Sequence, residues 1–197
     1  MKVAKWPSES VDETFYMPDV NKKWNLPHTL LAVSHLARTR RIDRIVPLDD
    51  FDLETAAALR EHMRIPGMGE TTTRYFRDKL AMRARAKFAG IPVPDFARLL
   101  NEGEIHDFTR QISSPWMLKP RSQAGAIGIK KVAGEQDLWK ALEALGDDRS
   151  FYLLERYVPG DIYHVDTIVF HEKLKFCNVS KYGTPPMDVT HEGGVFT

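Results

Sequence analysis

The chain has 197 residues, enough for one ordinary domain or two small ones, and its 43% hydrophobic and 28% charged content is that of a soluble globular protein. A net charge of +1, from 28 basic and 27 acidic residues, gives no electrostatic basis for nucleic-acid binding. No apolar run approaches the roughly 20 residues of a membrane helix, and the lone cysteine, Cys177, excludes an internal disulfide and points to a reducing, cytoplasmic setting.

The opening residues, Met1 to Asn25, are mixed and polar, with Pro7 and Pro18 as breaks and no secretory signal. Apolar spacing predicts a helix over Leu30 to Arg41, closed by Arg38, Arg40 and Arg41, whose cations suit a helix C-terminus. The run from Ile42 to Leu48 reads as a buried strand, and Asp52 as the N-cap of a helix from Leu53 to Met63. Helix, strand and helix in succession indicate an α/β layer. The Arg60–Glu61 pair reads as solvated surface.

After the break at Ile65 to Gly69, one helix is expected over Thr73 to Ala89, packing through Phe76, Leu80, Met82, Ala86 and Ala89 and ending at Gly90. Ile91-Pro92-Val93-Pro94 is a stiff connector. A weaker helix covers Glu104 to Ile112. Pro115 to Pro120 and Ile129 to Val132 read as strands flanking a glycine-containing loop, followed by an amphipathic helix over Glu135 to Leu145. Lys140 and Glu143 would face solvent, and Trp116 and Trp139 would pack internally. Strands are expected over Phe151 to Val158, Ile162 to Phe170 and Leu174 to Tyr182, the last two joined at His171-Glu172-Lys173. Gly183 to Thr197 has no period.

Four features bear on chemistry. Arg77-Asp78-Lys79 puts two cations on one helical turn, where they meet a phosphate or form a solvated face. From Lys119 to Ile129, a lysine ends a strand and a loop with Gly125 and Gly128 follows. Such a loop lays backbone N–H groups over phosphates, or is a plain mobile hairpin turn. It is not a P-loop, which needs Gly-Lys-Ser/Thr and a following helix. Glu155 lies in an apolar strand, where a buried carboxylate needs a partner: a ligand amine, Arg156 or a backbone donor. Alternatively it is an edge-strand residue facing solvent. Last, Ile162, His164 and Asp166 share one strand face, which suits a ribose or phosphate unless His164 is structural. No nucleophile elbow and no zinc-ligand spacing is present.

In order and spacing, residues 40 to 197 resemble the ATP-grasp family, the broad group that includes carboxylate–amine ligases, biotin carboxylase and the large subunit of carbamoyl-phosphate synthase. The resemblance rests on Val46 to Phe51 with Ile65-Pro66-Gly67, on Asp78-Lys79, and on Gly90-Ile91-Pro92-Val93-Pro94. It continues through Lys119-Pro120 with Ala124 to Ile129, Glu155-Arg156-Tyr157-Val158 with Gly160, and Val165-Asp166.

The resemblance implies an α/β fold: the end of a Rossmann-like domain over residues 1–70, then part of a two-lobed ATP-grasp domain with antiparallel sheets over 71–197. The first lobe would cover about 71–153 and the start of the second about 154–197. It also implies a nucleotide site. Lys79 and Lys119 would hold the α- and β-phosphates, and the loop with Ser122, Ala124, Gly125 and Gly128 would close over the β- and γ-phosphates. Glu155 would accept from the adenine amine, backbone groups of Arg156, Tyr157 and Val158 would meet the ring edge, and Ile129 would pack on the base. Asp161 or His164 would sit near the ribose.

Two departures are visible: Ile162 stands where many members carry Glu, and a loop with two glycines should be stiffer than most. The family's magnesium ligands belong after Thr197, and the opening of the Rossmann-like domain is missing, so the chain is expected to be a fragment cut at both ends. The implied activity is ATP-dependent ligation: a small carboxylate is activated as an acyl phosphate and attacked by an amine or thiol. A non-catalytic nucleotide-binding module and a ligand-free α/β domain are the alternatives. Convergence of Lys79, Lys119 and Glu155 separates the nucleotide readings from the ligand-free one.

Overall fold

The computed structural model describes residues 8–20 and 23–194, and the chain divides into two compact units, Met1–Glu70 and Thr71–Thr197. In the first unit, β1 (Asp19–Val20) and β2 (Lys23–Trp24) pair antiparallel ahead of α1 (Leu26–Leu36). The Asn25 side chain caps α1 by accepting from the His28 N–H, and Pro27 sits in its first turn, where no donor is needed. This start lies four residues before the expected Leu30. The expected strand over Ile42 to Leu48 does not form. That segment is irregular, with Val46 70% and Leu48 75% exposed, because among the described residues of the unit no strand lies beside it to complete a ladder.

The next helix, α2 (Leu53–Met63), has the predicted bounds. Asp52 stands at its N-cap position but makes no side-chain bond there; Asp49 instead caps the preceding 3-10 turn at Phe51. Arg60 is buried rather than solvated. Its Nε donates to the Ile45 carbonyl and its Nη1 to the Met68 carbonyl, each at 2.9 Å. Glu61 accepts from the Glu70 N–H at 2.8 Å. The pair therefore anchors the flanking segments onto α2.

The expected single helix over Thr73 to Ala89 is two helices, α3 (Glu70–Arg77) and α4 (Lys79–Phe88). Asp78 separates them in an extended conformation and accepts from the Leu80 and Ala81 N–H groups. A short polar side chain that satisfies the free N–H groups of a new helix thus ends the old one. Of the five expected packing residues, Phe76 and Ala89 are exposed and the others only half-buried. Gly90 follows α4 with φ 74°, the left-handed conformation that suits glycine there.

The remainder of the second unit begins with β3 (Phe96–Arg98), which the sequence reading did not anticipate, and α5 (Glu102–Gln111). Then come β4 (Trp116–Pro120), β5 (Lys130–Val132), α6 (Glu135–Leu145) and β6 (Tyr152–Arg156). These strands form an antiparallel sheet in the order β3-β6-β4-β5. Strand alternation sorts their side chains onto two faces. One face sends Ala97, Trp116, Leu118, Val132 and Leu154 into a core with Ile105 and Phe108 of α5 and Leu138 and Leu142 of α6. The other carries Phe96, Met117, Lys119, Leu153 and Glu155, and α4 reaches it through Arg83 and Lys87.

A separate hairpin, β7 (Tyr163–Phe170) with β8 (Lys173–Lys181), turns at His171 and Glu172. Both turn residues have positive φ, as a two-residue turn requires, so Lys173 belongs to the strand and not to the loop. The stretch from Gly183, which has no period in sequence, contains α7 (Pro186–Glu192), with Val189 buried.

Candidate nucleotide-phosphate site

The antiparallel register of β4 and β6 pairs Met117 with Glu155 and Lys119 with Leu153. Lys119 and Glu155 are therefore diagonal neighbours on one face, within reach of long side chains. Glu155 is 2% exposed, so the expectation of a solvent-facing edge residue does not hold; β6 lies between β3 and β4. Nor is Arg156 its partner. One carboxylate oxygen accepts from Lys119 Nζ and the other from Arg83 Nε at 2.5 Å. Two cations thus satisfy the buried charge.

Lys79 opens α4 beside this pair. Its backbone N–H donates to the Arg121 carbonyl at 2.9 Å, and its ammonium to the Gln123 carbonyl at 2.5 Å, inside the glycine loop. Burial lowers its pKa below the usual lysine value, and Arg77, Lys119 and Arg83 lower it further. Lys119, Glu155 and Arg83 are thus in contact, and Lys79, whose own ammonium meets the Gln123 carbonyl, is near enough to Lys119 and Arg83 for their charges to act on it. Among the described residues, the cations gathered here outnumber the carboxylates that meet them, leaving a cluster short of negative charge.

A second ion pair holds this cluster against the sheet. Arg121 Nε donates to Asp78 Oδ1 at 3.0 Å and its Nη2 to Oδ2, while its Nη1 holds the Ser150 carbonyl at 3.0 Å. Burial works against ionisation of Asp78, but the Arg121 hydrogen bond and charge, aided by the Leu80 and Ala81 N–H groups, bring its pKa below the usual carboxylate value. The start of α4 is thereby fixed to the end of β4.

The loop between β4 and β5 turns over residues 125–128, with positive φ at Gly125, Ala126 and Gly128. Gly128 is required sterically as well, since a Cβ there would stand 2.9 Å from Pro120 Cγ. Ser122, Ala124 and Ile129 are half-buried along it. The Thr190 hydroxyl of α7 lies 2.8 Å from the Gly125 carbonyl and 2.9 Å from the Pro186 carbonyl, two acceptors for its one proton, and so brings α7 against the turn.

The remaining predicted residues lie apart from the cations. The Arg156 N–H donates to the Asp95 carbonyl at 2.8 Å and the Tyr157 N–H to the Pro115 carbonyl at 3.2 Å, so both already serve the sheet. Val158 is 58% exposed. Asp161 pairs with Lys181 at 2.7 Å. His164 lies 3.4 Å from Asp166, its ring is tilted 57° to that of Tyr182, and among the described residues its buried Nδ1 has no partner. A groove of about 640 Å³ lies where Leu80 and Ala84 of α4, Phe96 of β3 and Phe108 of α5 meet, but Lys79, Lys119 and Glu155 do not line it. Among the described residues, no group of three or more His, Cys, Asp or Glu side chains comes together, and no helix is long and apolar enough to cross a membrane.

Sequence reasoning missed Arg83, Arg121 as the partner of Asp78, and Thr190. A signal for Arg83 was present: it lies four residues after Lys79, on the same side of one helix.

No family model matches the chain. It is similar to the L-arginine-specific L-amino acid ligase of Bacillus subtilis, 26% identical over 184 residues that cover 90% of this chain and 44% of that enzyme. Its structure is similar to that of the L-amino acid ligase from Bacillus licheniformis, with a TM-score of 0.65, 18% identity, and coverage of 81% of this chain and 37% of that one. It also resembles N5-carboxyaminoimidazole synthetase from Staphylococcus aureus, solved with ADP: the TM-score is 0.63, the identity 17%, and the coverage 80% and 42%. The chain thus carries part of the ATP-grasp fold, and the resemblance expected from its motifs holds in sequence and in structure. It spans less than half the length of each of these proteins.

Proposed function

We propose that the second unit binds the phosphates of ATP, supplied with magnesium, as part of an ATP-grasp ligase. One observation carries the reading. Lys79, Lys119 and Arg83 gather at the end of β4 beside a loop bent by Gly125 and Gly128; the buried Glu155 meets two of them, and the other buried carboxylate, Asp78, is held by Arg121. Phosphate oxygens supply the negative charge that such a cluster lacks, and the loop's backbone suits close approach to them. Ser122, Ala124, Gly125 and Gly128 would cover the phosphates, Ile129 and Glu155 would face the base with Arg156, Tyr157 and Val158 along its edge, and Asp161 or His164 would lie near the ribose. The likeness to L-amino acid ligases supports a small carboxylate as co-substrate, activated as an acyl phosphate and attacked by an amine or thiol. Magnesium would offset charge on the transferring phosphoryl group, and we assign no residue of this chain to it. The near-neutral charge gives nucleic acid no part in this reading, and the lone cysteine supports a cytoplasmic setting.

The test is ATP binding by calorimetry with magnesium, on the wild-type chain beside Lys79→Ala and Lys119→Ala. Each variant should weaken binding by about 1–3 kcal/mol, the scale of a charged hydrogen bond. Unchanged affinity in both variants would place the nucleotide elsewhere.

A further inference from the structure

Resting on the phosphate reading of Lys119, we propose that Arg83 is a positioning residue that retains the Glu155 carboxylate when Lys119 turns to a phosphate. The argument starts from burial. Glu155 is 2% exposed, and its two oxygens are divided between Lys119 Nζ and Arg83 Nε. A carboxylate so buried is costly to leave without a cation. A phosphate that draws Lys119 away leaves Glu155 with Arg83, which sits one turn into α4 and is held in place with it by the Asp78–Arg121 pair.

Arg83 suits the task better than a second lysine would. Its guanidinium carries five donors in a rigid fork, where an ammonium is a single point of charge. One donor already reaches Glu155 at 2.5 Å, and others remain for the oxygen that Lys119 releases. Lys119 is thereby free to exchange partners: Glu155 holds it in place without nucleotide, and Arg83 makes the release affordable. Without Arg83, Glu155 and the phosphates compete for one ammonium.

The experiment compares ADP with adenosine, which lacks the phosphates but keeps the base and ribose. Calorimetry on the full chain would use wild type, Arg83→Gln, Glu155→Gln and the double variant. Arg83→Gln is expected to weaken ADP binding by about tenfold more than it weakens adenosine binding, the scale of one charge-assisted hydrogen bond. In the Glu155→Gln background, which no longer competes for Lys119, the Arg83 change should have little effect on ADP. Equal losses for ADP and adenosine, or equal losses in both backgrounds, would show a merely structural role and overturn the proposal. Should Arg83→Gln fail to fold, Glu155→Gln alone decides: it must raise the ratio of ADP to adenosine affinity, and an unchanged or lower ratio refutes the competition. A folded wild-type chain that binds neither ligand would instead refute the nucleotide reading itself, and this inference with it.

Discussion

Replacing Asp78 tests whether the start of α4 is fixed to the sheet as the geometry indicates. The residue is 5% exposed and has two tasks: it accepts from the Leu80 and Ala81 N–H groups, and it holds the Arg121 guanidinium through two hydrogen bonds. Loss of an N-cap costs about 1 kcal/mol. Breaking a buried pair costs about 3–5 kcal/mol, but the Arg121 side chain is 25% exposed and regains water, so about 2 kcal/mol is the better figure. Asp78→Ala should therefore destabilise the second unit by about 3 kcal/mol, and Asp78→Ser, which keeps a cap, by about 2 kcal/mol. Urea unfolding followed by tryptophan fluorescence in a Trp6→Phe, Trp24→Phe background reports this unit through Trp139 and Trp116, the latter 2% exposed in the core. The folded pKa of Asp78 is depressed, so its contribution is full above the ordinary value of 3.8 and lost as the pH falls through the lower folded value. The gap between wild type and variant should close in acid. A loss below about 1 kcal/mol for Asp78→Ala, no more than a cap alone accounts for, would refute the clamp.

Other expectations are as direct. Gly128→Ala should be worse than Gly125→Ala: both positions have positive φ, at about 1–2 kcal/mol for a side chain, but only the Gly128 Cβ meets Pro120. Comparative unfolding of the two variants would measure the difference, and equal costs would contradict the packing of the turn. Lys79 should take up a proton when a phosphate binds. Its pKa is lowered in the folded chain and a nearby anion raises it, so below the ordinary 10.5 and above the lowered value, binding heat should depend on the buffer's ionisation enthalpy. Lys79→Met should abolish that dependence.

What the sequence made legible follows from what each residue pattern determines. The helices over Leu53–Met63 and Glu135–Leu145 were read with their bounds because apolar spacing runs through them uninterrupted. The break at Asp78 was hidden because an aspartate inside a periodic stretch looks like surface until its side chain is seen to accept from the next turn. Ile42 to Leu48 misled for a related reason: apolar content favours burial, whereas a strand also needs a neighbour, and among the described residues none lies beside it. At the site, motif order picked out Lys79, Lys119 and Glu155, but what meets Glu155 depends on three segments coming together. Arg83 comes from one of them and is 72 residues away in sequence.

The core and the candidate site are specified by one register. Residues two apart in β4 share a face, so the register that puts Trp116 and Leu118 into the core also puts Met117 and Lys119 on the opposite side. The same holds in β6, where Leu154 enters the core and Glu155 therefore cannot. A slip of one residue between these strands would bring Lys119 into the apolar layer and turn Leu118 out of it, at the cost of an unpaired charge and a lost core residue together. The hydrophobic packing beneath the sheet thus places the ammonium and the carboxylate above it. Function adds only what the core does not demand: a second cation, Arg83, brought to the same carboxylate by a helix whose start Asp78 and Arg121 hold in place.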